Sequence, residues 1–156
     1  MSMSNVRQRG FTLIEILIVI GIIAILAAVV IVAINPARQF GQANDALRSS
    51  NANTILNAVG QYTIDKKGKP PVTIETTNRE ICATGTASAT CTTDNLVDLS
   101  VITDGDYIET IPKDPACVSA PECTTNGTGY WIMRTTTGRI TVEAPLGQYA
   151  SISVSR

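Results

Sequence analysis

One carboxylate, Glu15, interrupts an apolar run of 24 residues from Phe11 to Ile34. An acid at the centre of a membrane helix costs roughly 2.5–3.5 kcal/mol on insertion scales. Glu15 is therefore either shallow in a bilayer or in need of a cationic partner. The other reactive groups are four cysteines, Cys82, Cys91, Cys117 and Cys123, all downstream of that run. An even number in an exported domain points to disulfides. Of the three possible connectivities, the shortest loops favour Cys82–Cys91 and Cys117–Cys123. A zinc site is disfavoured, because these spacings are wider than the tight hooks of zinc modules and the chain has no histidine. The missing histidine also removes Ser-His and Cys-His pairs, and no glycine-rich phosphate loop follows a strand. No enzymatic activity, catalytic residue, cofactor or metal ligand is expected. Asp94, Asp98, Asp104, Asp106 and Asp114 carry oxygen chemistry suited to calcium, but capping and solvation account for them. Lys66, Lys67 and Lys69 form a small basic group that suits a helix end, and a DNA or surface ligand finds no other support.

These groups are positioned by a strongly divided chain. The net charge of −1 gives no sign of a dedicated nucleic-acid binder. Arg7 and Arg9 precede the apolar run without nearby acids, which places the N-terminus in the cytoplasm and everything after Ile34 outside. The run is longer than the core of a secretory signal peptide and close to the roughly 20 residues that span a bilayer. Beyond it, Phe40, Ala43, Leu47, Ile55, Val59 and Tyr62 recur as one apolar stripe, with Asp45, Arg48, Asn57 and Gln61 on other faces. Lys66, Lys67, Gly68 and Pro70-Pro71 end that helix. One nearly continuous helix from Thr12 to Lys66 would span about 80 Å, with a kink at Pro36, whose missing N–H breaks the bond to the Val32 carbonyl. Residues 69–93 read as a connecting loop. Asp94 reads as the N-cap of a short helix carrying Leu96, Val97 and Leu99. Tyr130–Thr135, Ile140–Ala144 and Ala150–Val154 alternate as strands. The expected fold class is α+β: a long N-terminal helix, its apolar half protruding, packed on a small antiparallel sheet of three strands.

The residues Arg9-Gly10-Phe11-Thr12-Leu13-Ile14-Glu15, followed by the apolar run, closely resemble the processing motif of type IV pilins and type II secretion pseudopilins. The resemblance implies a basic leader over 1–10, a transmembrane and filament-core helix over 11–35, an amphipathic helix over 36–68 and a globular head over 69–156. It implies cleavage between Gly10 and Phe11 by a prepilin peptidase, N-methylation of Phe11 by the same type of enzyme, and an assembly charge pair between Glu15 and the new Phe11 amine of a neighbouring subunit. The family often carries its helix-breaking proline where this chain has Val32; here the proline is Pro36. Asp104 to Pro115, with Tyr107 ahead of Ile111-Pro112-Lys113-Asp114-Pro115, is similar to a segment of major pseudopilins and related pilins. The implied partners are further copies of the chain in a helical homopolymer, the pilus or secretion assembly machinery, and the cytoplasmic membrane before assembly. The implied place is a single-pass membrane protein with its head outside, then an extracellular filament. The favoured function is a structural subunit of a type IV pilus. The alternatives are a pseudopilin of a secretion or DNA-uptake system and a monomeric membrane-anchored adhesin.

Overall fold

The computed structural model describes residues 10–118 and 123–156. The basic leader with Arg7 and Arg9 lies outside these residues, apart from Gly10. The described residues fall into two compact units, one running up to Gln39 and the other Phe40–Arg156.

The first unit is built on α1, Leu13–Ala33. Its side chains from Leu13 to Ile31 are exposed, and this 19-residue stretch is long and apolar enough to cross a membrane. The long helix expected from Thr12 to Lys66 is two helices. The second, α2, is Pro36–Asp65. Ile34 is extended (φ −91°, ψ 107°), and the Asn35 side chain accepts a hydrogen bond from the Arg38 N–H at 3.2 Å. Pro36, expected as a kink inside one helix, is instead the first residue of α2. The residue before a proline is driven away from the α region, and a first-turn proline sacrifices no helical hydrogen bond. Asn35-Pro36 therefore acts as a stop followed by a start.

The second unit is an α+β head. After α2 come β1 (Arg79–Cys82), α3 (Ser88–Thr93), α4 (Ser100–Thr103), a 3-10 turn (Pro115–Val118), β2 (Gly127–Arg134), β3 (Ile140–Ala144) and β4 (Ile152–Ser155). The sheet has four strands in the order β1-β2-β3-β4, every pair antiparallel. The three expected strands are β2, β3 and β4. The region read as a loop over 69–93 holds the fourth strand, β1, and α3. Only four residues long, β1 is too short to show an alternating pattern. It is fixed by pairing with β2 and by an isolated bridge from Ile81 to Val97.

Ala52, Ile55 and Val59 of α2 pack with Tyr130, Ile132 and Val142 of the sheet in one core. The apolar stripe is correct for Ile55 and Val59, which are buried, and for Tyr62, which is half-buried. It fails over the first turns. Phe40, Ala43 and Leu47 are exposed, while Gly41, Asp45 and Arg48 are buried. Asp94 is also corrected: it closes α3 rather than opening the next helix. The acid at that opening is Asp98, whose Oδ1 accepts from the Ser100 N–H at 2.8 Å. At its C-terminus α2 ends as its sequence suggests. Gly68, at φ 85°, donates its N–H to the Thr63 carbonyl, a left-handed closure that glycine adopts without steric cost.

Candidate processing and assembly site

Gly10, Phe11 and Thr12 precede the first turn of α1 in non-helical backbone. Gly10 has open space where a side chain would stand, and Phe11 is 79% exposed. Thr12 is the N-cap of α1, extended at φ −83° and ψ 150°, and its Oγ1 accepts from the Glu15 N–H at 3.2 Å. The Gly10–Phe11 bond is thus presented in accessible, non-helical chain one residue before a capped helix. Glu15 occupies the first turn, the positive end of the helix dipole, where a carboxylate is favourable by about 0.3–1 kcal/mol. Thr12-Leu13-Ile14-Glu15 has the spacing of a capping box. That spacing is a signal legible in the sequence which hydrophobic patterning overlooks; only its Thr12 half is formed.

Cutting after Gly10 would leave an α-amine on Phe11, cationic near neutral pH. A cation at a helix N-terminus opposes the dipole, so such an amine needs a carboxylate. Glu15 is the acid of the first turn of α1. This arrangement can form a charge pair once the chain is cut.

The head contains a second polar constellation that sequence reasoning placed on the wrong face. Arg48 donates from Nε and Nη2 to the two carboxylate oxygens of Asp114, at 2.7 and 2.9 Å, and from Nη1 to Asp45 Oδ1 at 2.9 Å. Asp45 also accepts the backbone N–H groups of Gln148, Tyr149 and Ala150 at 2.9, 2.7 and 3.2 Å. The Asp114 Oδ1 takes the Ala116 N–H at 2.8 Å. Burial alone would push the Asp45 carboxyl up. The N–H bonds from Gln148 and Tyr149, together with Arg48, outweigh it and hold Asp45 below the usual carboxylate range. The bond to Asp114 raises Arg48 above its ordinary value. The cluster ties α2 to the β3–β4 loop and to the 3-10 turn. Gly41 allows that loop to lie close, since a side chain there would overlap the Tyr149 ring.

The remaining candidate residues are dispersed. Asp94 accepts from Asn126 Nδ2 at 2.7 Å, and among the described residues no group of three acids, cysteines or histidines is placed to hold a metal. The structure forms Cys82–Cys91, joining β1 to α3, and Cys117–Cys123. Gly129 is required beside the latter: its φ is 81°, and a side chain there would meet Cys117 Sγ and Asp114 Cβ.

Residues 5–31 match the prokaryotic N-terminal methylation motif. The chain is 49% identical over 59 residues to the type IV wide pilus major component PilA4 of Thermus thermophilus. That match covers 38% of this chain and 44% of the relative, so the chain spans under half the length of the protein it matches. No solved structure matches it.

Proposed function

We propose that the chain, whose N-terminal segment matches the methylation motif and is similar to a type IV pilin, is a structural subunit of an extracellular type IV pilus. It is made as a precursor in the cytoplasmic membrane, with its head outside. A prepilin peptidase cuts it after Gly10 and the new Phe11 amine is methylated. The pilus assembly machinery then adds copies of the chain to a helical homopolymer. Within the filament, the Glu15 carboxylate of one copy meets the Phe11 amine of another. The observation that carries this reading is the exposed Gly10–Phe11 bond placed directly before a capped apolar helix with an acid in its first turn.

A buried pair of this kind adds little over apolar packing but penalises any register that strands both charges. Glu15→Val is therefore expected to insert in the membrane and accumulate at wild-type level while entering filaments hardly at all. Intact mass of the surface protein is expected to show a chain beginning at methylated Phe11. A surface protein that still begins upstream of Phe11, or normal filament yield from Glu15→Val, contradicts the reading.

The Ile111–Pro115 segment favours a second reading, a pseudopilin of a secretion or DNA-uptake system. Long surface filaments made of this subunit at native expression decide for the pilus, and their absence in cells that process the chain normally decides for the pseudopilin.

A further inference from the structure

The two edges of the sheet differ. Beyond β1, the Val97 N–H donates to the Glu80 carbonyl at 2.8 Å and the Val97 carbonyl accepts from the Cys82 N–H at 2.9 Å. That segment closes the β1 edge. At the other edge, β4 is bonded on its β3 side. Ile140 and Arg156 exchange both backbone bonds, at 2.9 and 3.0 Å. Bonded pairs alternate along an antiparallel ladder, so Ile152 and Val154 turn their backbone groups to β3. Those of Ser153 and Ser155 point outward, and among the described residues no other backbone group reaches them.

Folded proteins guard such an edge with a charge, a proline or a bulge. Residues 151–155 read Ser-Ile-Ser-Val-Ser, and the β3–β4 register is unbroken. The edge thus carries none of these guards. Ser151, Ser153 and Ser155 are exposed, and Val154 is half-buried against the core. A groove of about 350 Å³ runs beside β4, with Ala46 and Ser49 on its α2 side. Those small side chains leave room for another strand.

The order of the residues selects that strand. By residue kind the segment is a palindrome about Ser153. Antiparallel pairing with a second β4, Ser153 opposite Ser153, sets Ile152 against Val154 twice on the core face and Ser151 against Ser155 on the other. Each copy then donates its Ser153 N–H to the Ser153 carbonyl of the other. The cations set the direction. Arg139 donates from Nη2 to Ser155 Oγ at 2.6 Å, so Arg139 and Arg156 share one end of β4. A parallel partner would crowd four cations together, whereas an antiparallel one keeps the two pairs at opposite ends of the joint. We propose that β4 pairs antiparallel with β4 of a second copy about a two-fold axis at Ser153, joining two heads through one continuous sheet. A two-fold contact closes on itself, so it is distinct from the repeating contact of a filament and would join one filament to another. It does not depend on the processing and assembly proposed above.

The full chain in a zwitterionic detergent is followed by sedimentation equilibrium. A monomer–dimer equilibrium is expected, with a dissociation constant on the order of 100 μM for so small an interface. Ser153→Pro removes both central N–H donors, one from each copy, and is expected to weaken the dimer about thirtyfold. Ser153→Lys sets two cations opposite each other and is expected to weaken it about fivefold. Ser153 is exposed, and proline is tolerated where an edge N–H faces solvent. Melting curves confirm that each variant is folded, and if Ser153→Pro does not fold, Ser153→Lys decides alone. A short bis-maleimide is expected to link Ser153→Cys to itself much faster than Thr93→Cys, an exposed position on α3. A chain still monomeric about tenfold above the expected constant overturns the proposal. So does unchanged affinity in Ser153→Lys, which would place the contact in α1 or on another surface, or equal linking of the two cysteine variants.

Discussion

Asp45 in the head receives three backbone N–H groups and one guanidinium nitrogen, whereas the Glu15 carboxylate in α1 has no hydrogen-bond or ion-pair partner among the described residues. Both acids sit on helices, and both are costly to bury unpaired. The head resolves the cost within one chain: two carboxylates share Arg48, and backbone N–H groups take the remaining lone pairs. On the proposed function, the N-terminal unit would leave its acid for a cation that proteolysis creates. Charge in the head fixes an internal arrangement, and charge in α1 is proposed to serve a contact between copies.

If that contrast is right, the two regions fail differently when altered. The largest effect on stability is expected from Arg48→Ala. It leaves Asp114, wholly buried, and Asp45 without their cation, and breaking a buried pair costs about 3–5 kcal/mol. Chemical denaturation followed by circular dichroism measures it. A loss below about 1 kcal/mol would place Arg48 among ordinary surface pairs and remove one side of the contrast.

Acid should act on the same cluster. The folded Asp45 carboxyl lies below its unfolded value, so its contribution is complete above about pH 4 and falls away as pH drops toward the folded value. Arg48 is raised, so its contribution persists to alkaline pH and does not shape this window. Head stability is expected to be flat from neutral pH to about 4–5 and to decline below it. In Asp45→Asn the starting stability is lower and the decline shallower. Equal acid slopes in the two proteins would show that Asp45 is not the group responsible.

The smallest effect is expected at the helix start. Thr12→Ala removes the cap on the Glu15 N–H and should cost about 1 kcal/mol, confined to the first turn of α1. Hydrogen exchange of the Glu15 amide in micelles should rise several-fold, with the melting of the head unchanged. A drop in head melting would mean that the two regions are not separable in this way.

The sequence was most legible where one residue type dominated. The run from Phe11 to Ile34, broken by one acid, left little freedom in reading α1. The stop at Gly68 was equally plain, because glycine and two prolines exclude other outcomes. Legibility failed where partners are distant. Asp45 and Arg48 have the i, i+3 spacing of a helical ion pair, but the acid that draws Arg48 inward, Asp114, is 66 residues away. Exposed Phe40 and Leu47 reversed the usual inference for the same reason, since the N–H groups of Gln148, Tyr149 and Ala150 had already claimed the polar face for the interior. The strand β1 was hidden because it is short and depends on β2 for its existence. At the candidate site Gly10, Phe11 and Glu15 stood out by residue type and order, while the Thr12–Glu15 cap needed attention to local spacing and not to hydrophobicity.

The central claim is that Glu15 is reserved for the Phe11 amine of another copy. A map of assembled filaments at side-chain detail, or a solid-state NMR distance between ¹⁵N-labelled Phe11 and ¹³C-labelled Glu15 in mixed-label filaments, measures it directly. Filaments grown from a mixture of singly labelled chains report only contacts between copies. The account predicts an amine-to-carboxylate distance within about 4 Å between different copies. A contact found only within one copy, or a Glu15 carboxylate with no amine near it, would contradict it.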